Sequence, residues 1–210
     1  MSLHTGDGSA MNGMARNGVK GLHPARNGRA GCIHEINLSD LLGREAIPLR
    51  SVEAQAVLKR QVILVTGAAG SIGSELCKQL LEYEPELVIA LDTNESGLFD
   101  LAEGLRSHPH AACLHLYIAD IRDVRGMARL FEAFHPRVVF HAAAYKHVPL
   151  MEQFPHQAVH TNALATYHLS RLACEYKVAR FIFVSTDKAA APVSVLGASK
   201  RLGELIVQSL

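Results

Sequence analysis

Short apolar runs alternate along the chain with segments whose apolar residues recur every three or four positions. Five runs of strand length begin at Val62, Leu87, His115, Val138 and Arg180. Short apolar runs are typical of parallel strands buried on both faces, and the periodic segments between them predict helices. Strands that alternate with helices pair in parallel through right-handed crossovers. The pattern therefore predicts an α/β fold, a Rossmann-like doubly wound parallel sheet in the order 3-2-1-4-5.

The predicted elements follow one another closely. Strands after the first are predicted at 87–91, 115–118, 138–142 and 180–184, and helices at 74–83, 96–106, 157–176 and 197–210, with one more that ends before Pro136. We expect this sheet domain to occupy residues 61–210. Ligands of such sheets bind at the carboxyl ends of the strands, so residues that follow a strand are the candidates for function.

Two segments precede the predicted domain. Residues 1–31 are rich in glycine and lack a periodic apolar face, so we expect a flexible N-terminal tail. Residues 32–60 form a predicted adaptor segment with a short helix that Ser39 or Asp40 caps. The apolar side of that helix consists of Ile36, Leu38, Leu41 and Leu42.

A glycine-rich turn follows the first strand directly. Gly67, Gly70 and Gly73 form a G-x-x-G-x-x-G pattern that opens a predicted helix. Such a turn brings backbone N–H groups close to a diphosphate and aims a helix N-terminus at its negative charge. Glycines also end helices and form ordinary turns. A dinucleotide site is favoured because the second strand ends in Asp92, where this fold hydrogen-bonds the adenosine ribose.

Composition narrows the functional classes. The chain has 210 residues, of which 49% are apolar and 20% charged, and its formal net charge is +1. This charge balance gives no support to a nucleic-acid partner. The four cysteines include no C-x-x-C pair, so we expect reduced thiols and no metal site. No apolar run reaches membrane-spanning length and no signal peptide is recognisable, so we expect a cytoplasmic chain without a membrane segment.

The residues after the third strand suit an adenine ring. The Asp120 side chain can accept a hydrogen bond from the adenine amino group while the Ile121 backbone meets the ring edge. Capping of a helix that runs from Arg122 onward is the alternative interpretation of Asp120. An aspartate at this position can do both.

Small residues end the fourth strand. Ala142 and Ala143 let a flat ligand approach the backbone, and we expect Tyr145 and Lys146 to border its nicotinamide end. Histidine is abundant, with twelve residues in the chain, so a histidine near a strand end is weak evidence of function. We interpret His141, His147 and His160 as packing or surface residues.

The segment after the fifth strand is the richest in reactive groups. Ser185, Thr186, Asp187 and Lys188 place hydroxyls, a carboxylate and an amine at the carboxyl end of a strand. These groups can bind a sugar hydroxyl, protonate a leaving oxygen and remove a proton next to a carbonyl. Ser-Thr-Asp is also ordinary turn chemistry, but the location in this fold favours catalysis.

Together these motifs resemble the extended short-chain dehydrogenase/reductase superfamily. More narrowly, the chain is similar to the CapD/FlaA-type polysaccharide-biosynthesis proteins, the UDP-N-acetylglucosamine 4,6-dehydratases. The similarity covers roughly residues 36–210. The segments that carry it are NLSDLLG at 37–43, VTGAAGSIGSELC at 65–77, ALDTNESGLFDL at 90–101, ADIRD at 119–123, VFHAAAYKHVPLME at 139–152, HTNALAT at 160–166, and VSTDKAAAP with GASKR at 184–201.

The resemblance implies a redox-neutral dehydration that uses NAD or NADP. Thr186 would hold the C4 hydroxyl of the sugar, Asp187 would protonate the departing C6 oxygen, Lys188 would remove the C5 proton, and Lys200 would bind the nicotinamide ribose. The residues that we assign to cofactor binding are Gly67, Gly70, Ser71, Ile72, Gly73, Asp92, Asp120, Ile121, Ala142, Ala143, Lys146, Asn162, Ser185 and Lys200. The expected partner is a nucleotide-sugar, UDP-N-acetylglucosamine by resemblance, and the product would feed surface polysaccharide assembly.

Two departures from the family pattern keep alternatives open. Leu196 occupies the place of the superfamily's usual tyrosine, and Leu210 falls before the sixth strand and the substrate domain of extended members, so we expect a truncated form. An epimerase or reductase of the same superfamily, or a dinucleotide-binding module without catalysis, remains possible. Asp92 would repel a 2′-phosphate, which favours NAD over NADP. An unpaired sheet edge leaves a homo-oligomer open.

Overall fold

The computed structural model describes residues 51–210. The predicted tail at 1–31, and the part of the predicted adaptor segment up to residue 50 with its expected helix, lie outside the described residues. Residues 52–58 of the adaptor segment form the first helix described, α1 (Val52–Leu58), whose N-terminus Ser51 caps through a 3.0 Å bond from the Ala54 amide.

The centre of the fold is a five-stranded parallel sheet. Its strands are β1 (Val62–Thr66), β2 (Leu87–Asp92), β3 (Leu114–Ile118), β4 (Val138–His141) and β5 (Arg180–Phe183). They lie in the order β3-β2-β1-β4-β5, which confirms the predicted topology. Thr66 at the end of β1 is level with Leu91 on one side and His141 on the other. The segments that follow these strands therefore meet at one edge of the sheet.

Helices connect the strands on both faces of the sheet. They are α2 (Ser71–Leu81), α3 (Glu95–Gly104), α4 (Val124–Phe134), α5 (Val148–Gln153), α6 (Pro155–Ala158), α7 (Ala165–Glu175) and α8 (Val195–Ser209). Single 3₁₀ turns lie at Ala111–Cys113 and Asp187–Ala189, and a π-helical segment, Val159–Leu164, joins α6 to α7. In the described part of the chain, no helix has the length and apolarity that crossing a membrane requires.

The alternation of side chains along each strand builds two cores. On one face, Ile63 and Val65 of β1 pack with buried residues of α2 and α3. On the other face, Leu64 of β1 and Ile89 of β2 pack with α4 and α7, including the fully buried Phe131. Burying one such side chain contributes about 1.5–3 kcal/mol, so the central strands form a rigid platform for the loops at their ends.

Three features of the helices differ from the prediction. The helix predicted at 157–176 is interrupted by the π-helical segment, and the preceding α5 was not predicted at all. The apolar residues of this short helix show no clear helical period. In the structure Met151 is its buried residue, whereas the neighbouring Leu150 is half exposed. A π turn shifts the helix face by one residue, and the apolar pattern alone does not distinguish this from a regular helix. Helix α2 also begins earlier than predicted, at Ser71 instead of residue 74.

Candidate functional site

The glycine turn lies directly against the end of β4. Gly67 has a φ of 72°, and a Cβ built there would lie 2.6 Å from the Ala143 nitrogen and 2.8 Å from the Ala142 carbonyl carbon. A Cβ on Gly73 would meet the Gly67 carbonyl oxygen and would lie 2.8 Å from the Ala68 Cα. A side chain at either position would displace backbone, so this close approach requires glycine.

Helix α2 begins at this turn without a capping side chain. Gly70 is its N-cap, and its first turn contains no acidic residue. The first N–H groups of a helix have no partner within the helix and carry its partial positive charge. The turn therefore presents donors and a favourable field to an anion such as a diphosphate.

Asp92 fastens the turn to the end of β2. Its Oδ2 accepts from the Ala69 amide at 3.0 Å, and its Oδ1 accepts from the Asn94 amide at 3.0 Å. The carboxylate is partly exposed and lines the same pocket as the glycines. Asp92 thus holds the turn in place while remaining open to a ribose hydroxyl from the pocket side.

Asp120 is paired with Arg122 and does not cap a helix. Its Oδ1 accepts from the Arg122 amide at 2.8 Å, and its Oδ2 accepts from the guanidinium at 2.6 Å. Helix α4 is instead capped by Asp123, whose side chain accepts from the Gly126 amide at 3.0 Å, so the helix-cap interpretation of Asp120 is wrong. Hydrogen bonds from Arg122 lower the pKa of Asp120 despite its partial burial, which keeps it an acceptor. Arg122 also reaches Gln157 Oε1 at 3.1 Å.

These elements enclose a pocket of about 290 Å³ at the carboxyl ends of the strands. All residues assigned to the cofactor line it except Asn162, Ser185 and Lys200. Arg122, Ala144, Thr161 and residues at the ends of β2 and β3 line it as well, and sequence reasoning did not assign these to the cofactor. Arg122 belongs to the ADIRD motif, so the sequence did contain a pattern that could have identified it as a pocket residue. Thr161 reaches the pocket through the π-helical segment, which the sequence did not predict.

The Asn162 side chain hydrogen-bonds other residues of the protein and does not line the pocket. Its Oδ1 accepts from the Tyr145 amide at 2.9 Å, and its Nδ2 donates to the Tyr145 carbonyl at 3.1 Å and to Ser199 Oγ at 3.0 Å. Both amide hydrogens are therefore used within the chain. Asn162 is a positioning residue that ties the loop after β4 to the π-helical segment and to α8.

The fully buried His141 links the same elements through a directed hydrogen-bond chain. Thr166 donates its single hydroxyl hydrogen to the Asn162 carbonyl at 2.8 Å, so it accepts from His141 Nε2 at 2.9 Å. His141 Nδ1 then accepts from the Thr66 hydroxyl at 2.7 Å. Burial, and secondarily the charge of Lys200, lowers the pKa of His141 to about 3. The packing interpretation of His141 agrees with this structure, and His147 and His160 are exposed.

The reactive groups after β5 form a separate, exposed cluster. The Thr186 hydroxyl donates to Asp187 Oδ1 at 2.9 Å, and Lys188 Nζ lies 3.3 Å from the same oxygen. Hydrogen bonds from Thr186 and Lys188 lower the pKa of Asp187. The Ser185 hydroxyl donates to Glu204 at 2.6 Å. None of these side chains lines the 290 Å³ pocket, although β4 and β5 end side by side.

Lys200 is buried beneath this cluster. Its Nζ donates to the Val184 carbonyl at 2.6 Å and lies 3.8 Å from the centre of the Phe183 ring. Burial lowers the pKa of Lys200 to about 8, against the opposing effect of Glu204. Leu196, one turn earlier on α8, is 4% exposed and packs with Met151 and Ala158. The position of the superfamily's tyrosine is thus part of an apolar cluster.

Comparison with known proteins gives a consistent group of relatives. Residues 63–210 match a family described as "Polysaccharide biosynthesis protein". The chain is 38% identical over 179 residues to the capsular polysaccharide biosynthesis protein CapD of Staphylococcus aureus, covering 85% of this chain and 30% of that protein. It is 35% identical to a UDP-glucose 4-epimerase of Rickettsia canadensis, covering 69% of this chain and 42% of the relative. An inverting UDP-N-acetylglucosamine 4,6-dehydratase of Campylobacter jejuni is 34% identical with the same coverage of both.

A solved structure shows the same architecture. Pen from Bacillus thuringiensis superposes with a TM-score of 0.68 at 30% identity, over 73% of this chain and 47% of that protein. The chain therefore spans less than half the length of the relatives described here.

Proposed function

Since the chain belongs to the family of polysaccharide biosynthesis proteins, we propose that it supplies the dinucleotide site of a nucleotide-sugar 4,6-dehydratase that acts on UDP-N-acetylglucosamine. The observation that carries the proposal is the cradle formed by Gly67 and Gly73 beside the uncapped start of α2. A Cβ at either glycine would collide with backbone atoms, so only glycine lets the turn pack this closely beside the start of α2. The uncapped first N–H groups of α2 at this turn fit a bound diphosphate. A nicotinamide dinucleotide supplies a hydride acceptor and donor when bound in such a site.

The proposed roles of the pocket residues follow from their partners. Asp92 accepts from a ribose hydroxyl and Asp120 from the adenine amino group, because both carboxylates line the pocket as acceptors. Asp92 would also repel a 2′-phosphate, so we propose NAD rather than NADP as the cofactor. Lys146, which lines the pocket after β4, borders its nicotinamide end.

The proposed acid and base lie after β5. The step needs Lys188 as the neutral amine and Asp187 as the protonated acid. Lys188 then takes the proton from C5 of the 4-keto sugar, Asp187 gives its proton to the C6 oxygen, and water leaves as the C5–C6 double bond forms, which returns the pair to ammonium and carboxylate. In the structure Asp187 is held ionised by Thr186 and Lys188. Sugar binding therefore has to exchange these two hydrogen bonds for bonds to the substrate, which removes the cause of the lowered pKa.

Lys200 needs a comparable exchange to reach the nicotinamide ribose. Its amine now donates to the Val184 carbonyl at 2.6 Å, and its desolvation disfavours the charged form. A ribose hydroxyl would offer a second acceptor to the ammonium group. Ser185, held by Glu204, would contact the cofactor from the end of β5.

The experiment is incubation of the chain with UDP-N-acetylglucosamine and NAD+, followed by mass spectrometry and NMR of the sugar. A 4-keto-6-deoxy product that is lost in Lys188→Met supports the dehydratase. Formation of the C4 epimer supports an epimerase, the alternative that the R. canadensis relative represents. Binding of NAD+ without any product supports a non-catalytic module, the alternative that the buried Leu196 favours.

A further inference from the structure

Helix α8 holds the chain that leaves β5 at two adjacent residues. The Ser185 hydroxyl donates to Glu204 Oε1 at 2.6 Å. Lys200 Nζ donates to the Val184 carbonyl, also at 2.6 Å. Lys200 and Glu204 are four residues apart on α8, so their side chains lie on the same face of the helix. The position of the reactive groups at 186–188, which follow directly, therefore depends on this attachment at two points.

Both carboxylate oxygens of Glu204 are engaged within the protein. Oε1 accepts from Ser185, and Oε2 accepts from the Arg201 guanidinium at 2.8 Å. The hydrogen bond from Ser185, and then that from Arg201, lowers the pKa of Glu204, and the positive charge of Lys200 lowers it further. The Glu204 side chain is 22% exposed and does not line the 290 Å³ pocket. Glu204 is therefore a fixed carboxylate that acts on neighbouring side chains.

The charge of Glu204 acts on the buried amine of Lys200. Burial lowers the pKa of Lys200 to about 8, and the negative charge of Glu204 opposes this effect. The amine otherwise meets the Phe183 ring at 3.8 Å and the Val184 carbonyl, which are uncharged. His141 of β4 stays neutral, because burial and the Lys200 charge lower its pKa to about 3. An ammonium has three hydrogens to donate, so a charged Lys200 keeps two for a ribose hydroxyl.

We propose that Glu204 is a positioning residue of the site, which anchors Ser185 at the end of β5 and supplies the negative charge that stabilises the Lys200 ammonium. The inference rests on the proposed function, in which Lys200 binds the nicotinamide ribose and the groups at 186–188 react with the sugar. It goes beyond that function because it assigns a role to a carboxylate outside the pocket. Arg201 contributes by holding the second oxygen, which fixes the orientation of the carboxylate towards Ser185.

The pKa of Lys200, measured by NMR of the lysine side chains, tests the role of the charge. Lys200→Met identifies the resonance. Glu204→Gln keeps an oxygen that can accept from Ser185 but removes the charge, so the pKa of Lys200 should fall by about 0.5 to 1. Glu103→Gln is the matched control, because Glu103 pairs with Arg106 three residues away but lies on α3. This control should leave the pKa of Lys200 unchanged.

Hydrogen exchange tests the anchor. Ser185→Ala leaves the charge of Glu204 in place, so the pKa of Lys200 should stay within about 0.2 of wild type. Amide exchange in peptides that cover 184–190 should become about fivefold faster, as expected for the loss of one hydrogen bond. Glu204→Gln retains an acceptor and should change this exchange less. Equal exchange in wild type and Ser185→Ala would overturn the anchoring role.

Binding of NAD+ at two pH values connects Glu204 to the site. If the Lys200 ammonium binds the ribose, a pKa that is lower by about 0.5 to 1 in Glu204→Gln weakens binding about two- to fivefold at pH 8 and hardly at pH 6. An unchanged pKa of Lys200 in Glu204→Gln, or a loss of affinity that is the same at both pH values, would overturn the inference while leaving the proposed function intact. Wild type that binds no NAD+ at either pH would refute the proposed function, and the role of Glu204 in the site with it.

Discussion

Acidification should destabilise this fold through His141. The imidazole is fully buried, and its pKa falls from 6.5 to about 3 because burial disfavours the charged form. Below pH 6.5 the unfolded chain binds a proton at this residue that the folded chain does not bind. The free energy of unfolding therefore falls as the pH falls from 6.5 towards 3, and this stability is fully present above pH 6.5.

The size of the effect follows from the shift in pKa. A pKa difference of one between the folded and unfolded chain corresponds to about 1.4 kcal/mol. Protonation at His141 therefore lowers the free energy of unfolding by about 3 kcal/mol at about pH 4.5 and by about 5 kcal/mol at pH 3. A domain of this size has a stability of about 5–15 kcal/mol, so the loss is a large share of the total. His141 should therefore contribute a large part of the acid sensitivity between pH 6.5 and about pH 4.5.

Urea unfolding at neutral pH and at about pH 4.5 measures the effect, with His141→Gln and His147→Gln as variants. His141→Gln should be less stable than wild type at neutral pH, because it loses the bonds to Thr66 and Thr166. Its loss of stability between the two pH values should be smaller than that of wild type by about 3 kcal/mol. The exposed His147→Gln should behave as wild type. Equal pH dependence of wild type and His141→Gln would refute the reasoning, as would NMR evidence that both ring nitrogens of His141 carry a hydrogen in the folded protein at about pH 4.5.

Two further predictions concern the turn and the buried lysine. Gly67→Ala should destabilise the fold by about 2–4 kcal/mol, because it strains a φ of 72° and pushes on the Ala143 backbone, whereas Gly104→Ala, with nothing within 4 Å of the new Cβ, should be neutral or stabilising. Thermal melting decides this, and similar effects of both substitutions would contradict it. The pKa of Lys200 is about 8 in the folded chain and 10.5 in the unfolded chain. Between pH 8 and pH 10.5 the unfolded chain therefore binds more protons than the folded chain. Wild type should therefore gain up to about 3 kcal/mol of stability relative to Lys200→Met between those pH values, and parallel pH profiles in chemical unfolding would count against it.

The resemblance inferred from the motifs is confirmed by the family match over residues 63–210. The order of the strands was predictable because apolar runs such as 87–91 alternate strictly with helical periods, and parallel crossovers leave few topologies. The pocket residues were predictable where a backbone constraint dictates the residue type, as at Gly67 and Gly73.

Other parts of the site could not be read from the sequence. The π-helical segment leaves the apolar pattern almost unchanged, so the pocket position of Thr161 was hidden. Asn162 was assigned to the cofactor because its HTNALAT segment resembles the family, yet its donors and acceptor are satisfied by Tyr145 and Ser199. Such distinctions depend on which partners tertiary packing brings within hydrogen-bond distance, and a linear pattern carries no such information.

Hydrogen exchange with mass spectrometry, with and without NAD+, tests the central claim most directly. The account predicts that NAD+ slows exchange in peptides that contain the glycine turn at 67–73, the ADIRD segment at 119–123 and the loop at 142–146, because these line one pocket. Peptides of α1 and of the last two turns of α8 should be unaffected, because neither lines the pocket. Saturating NAD+ that leaves exchange at 67–73 unchanged, or protects only segments outside the pocket, would contradict the account.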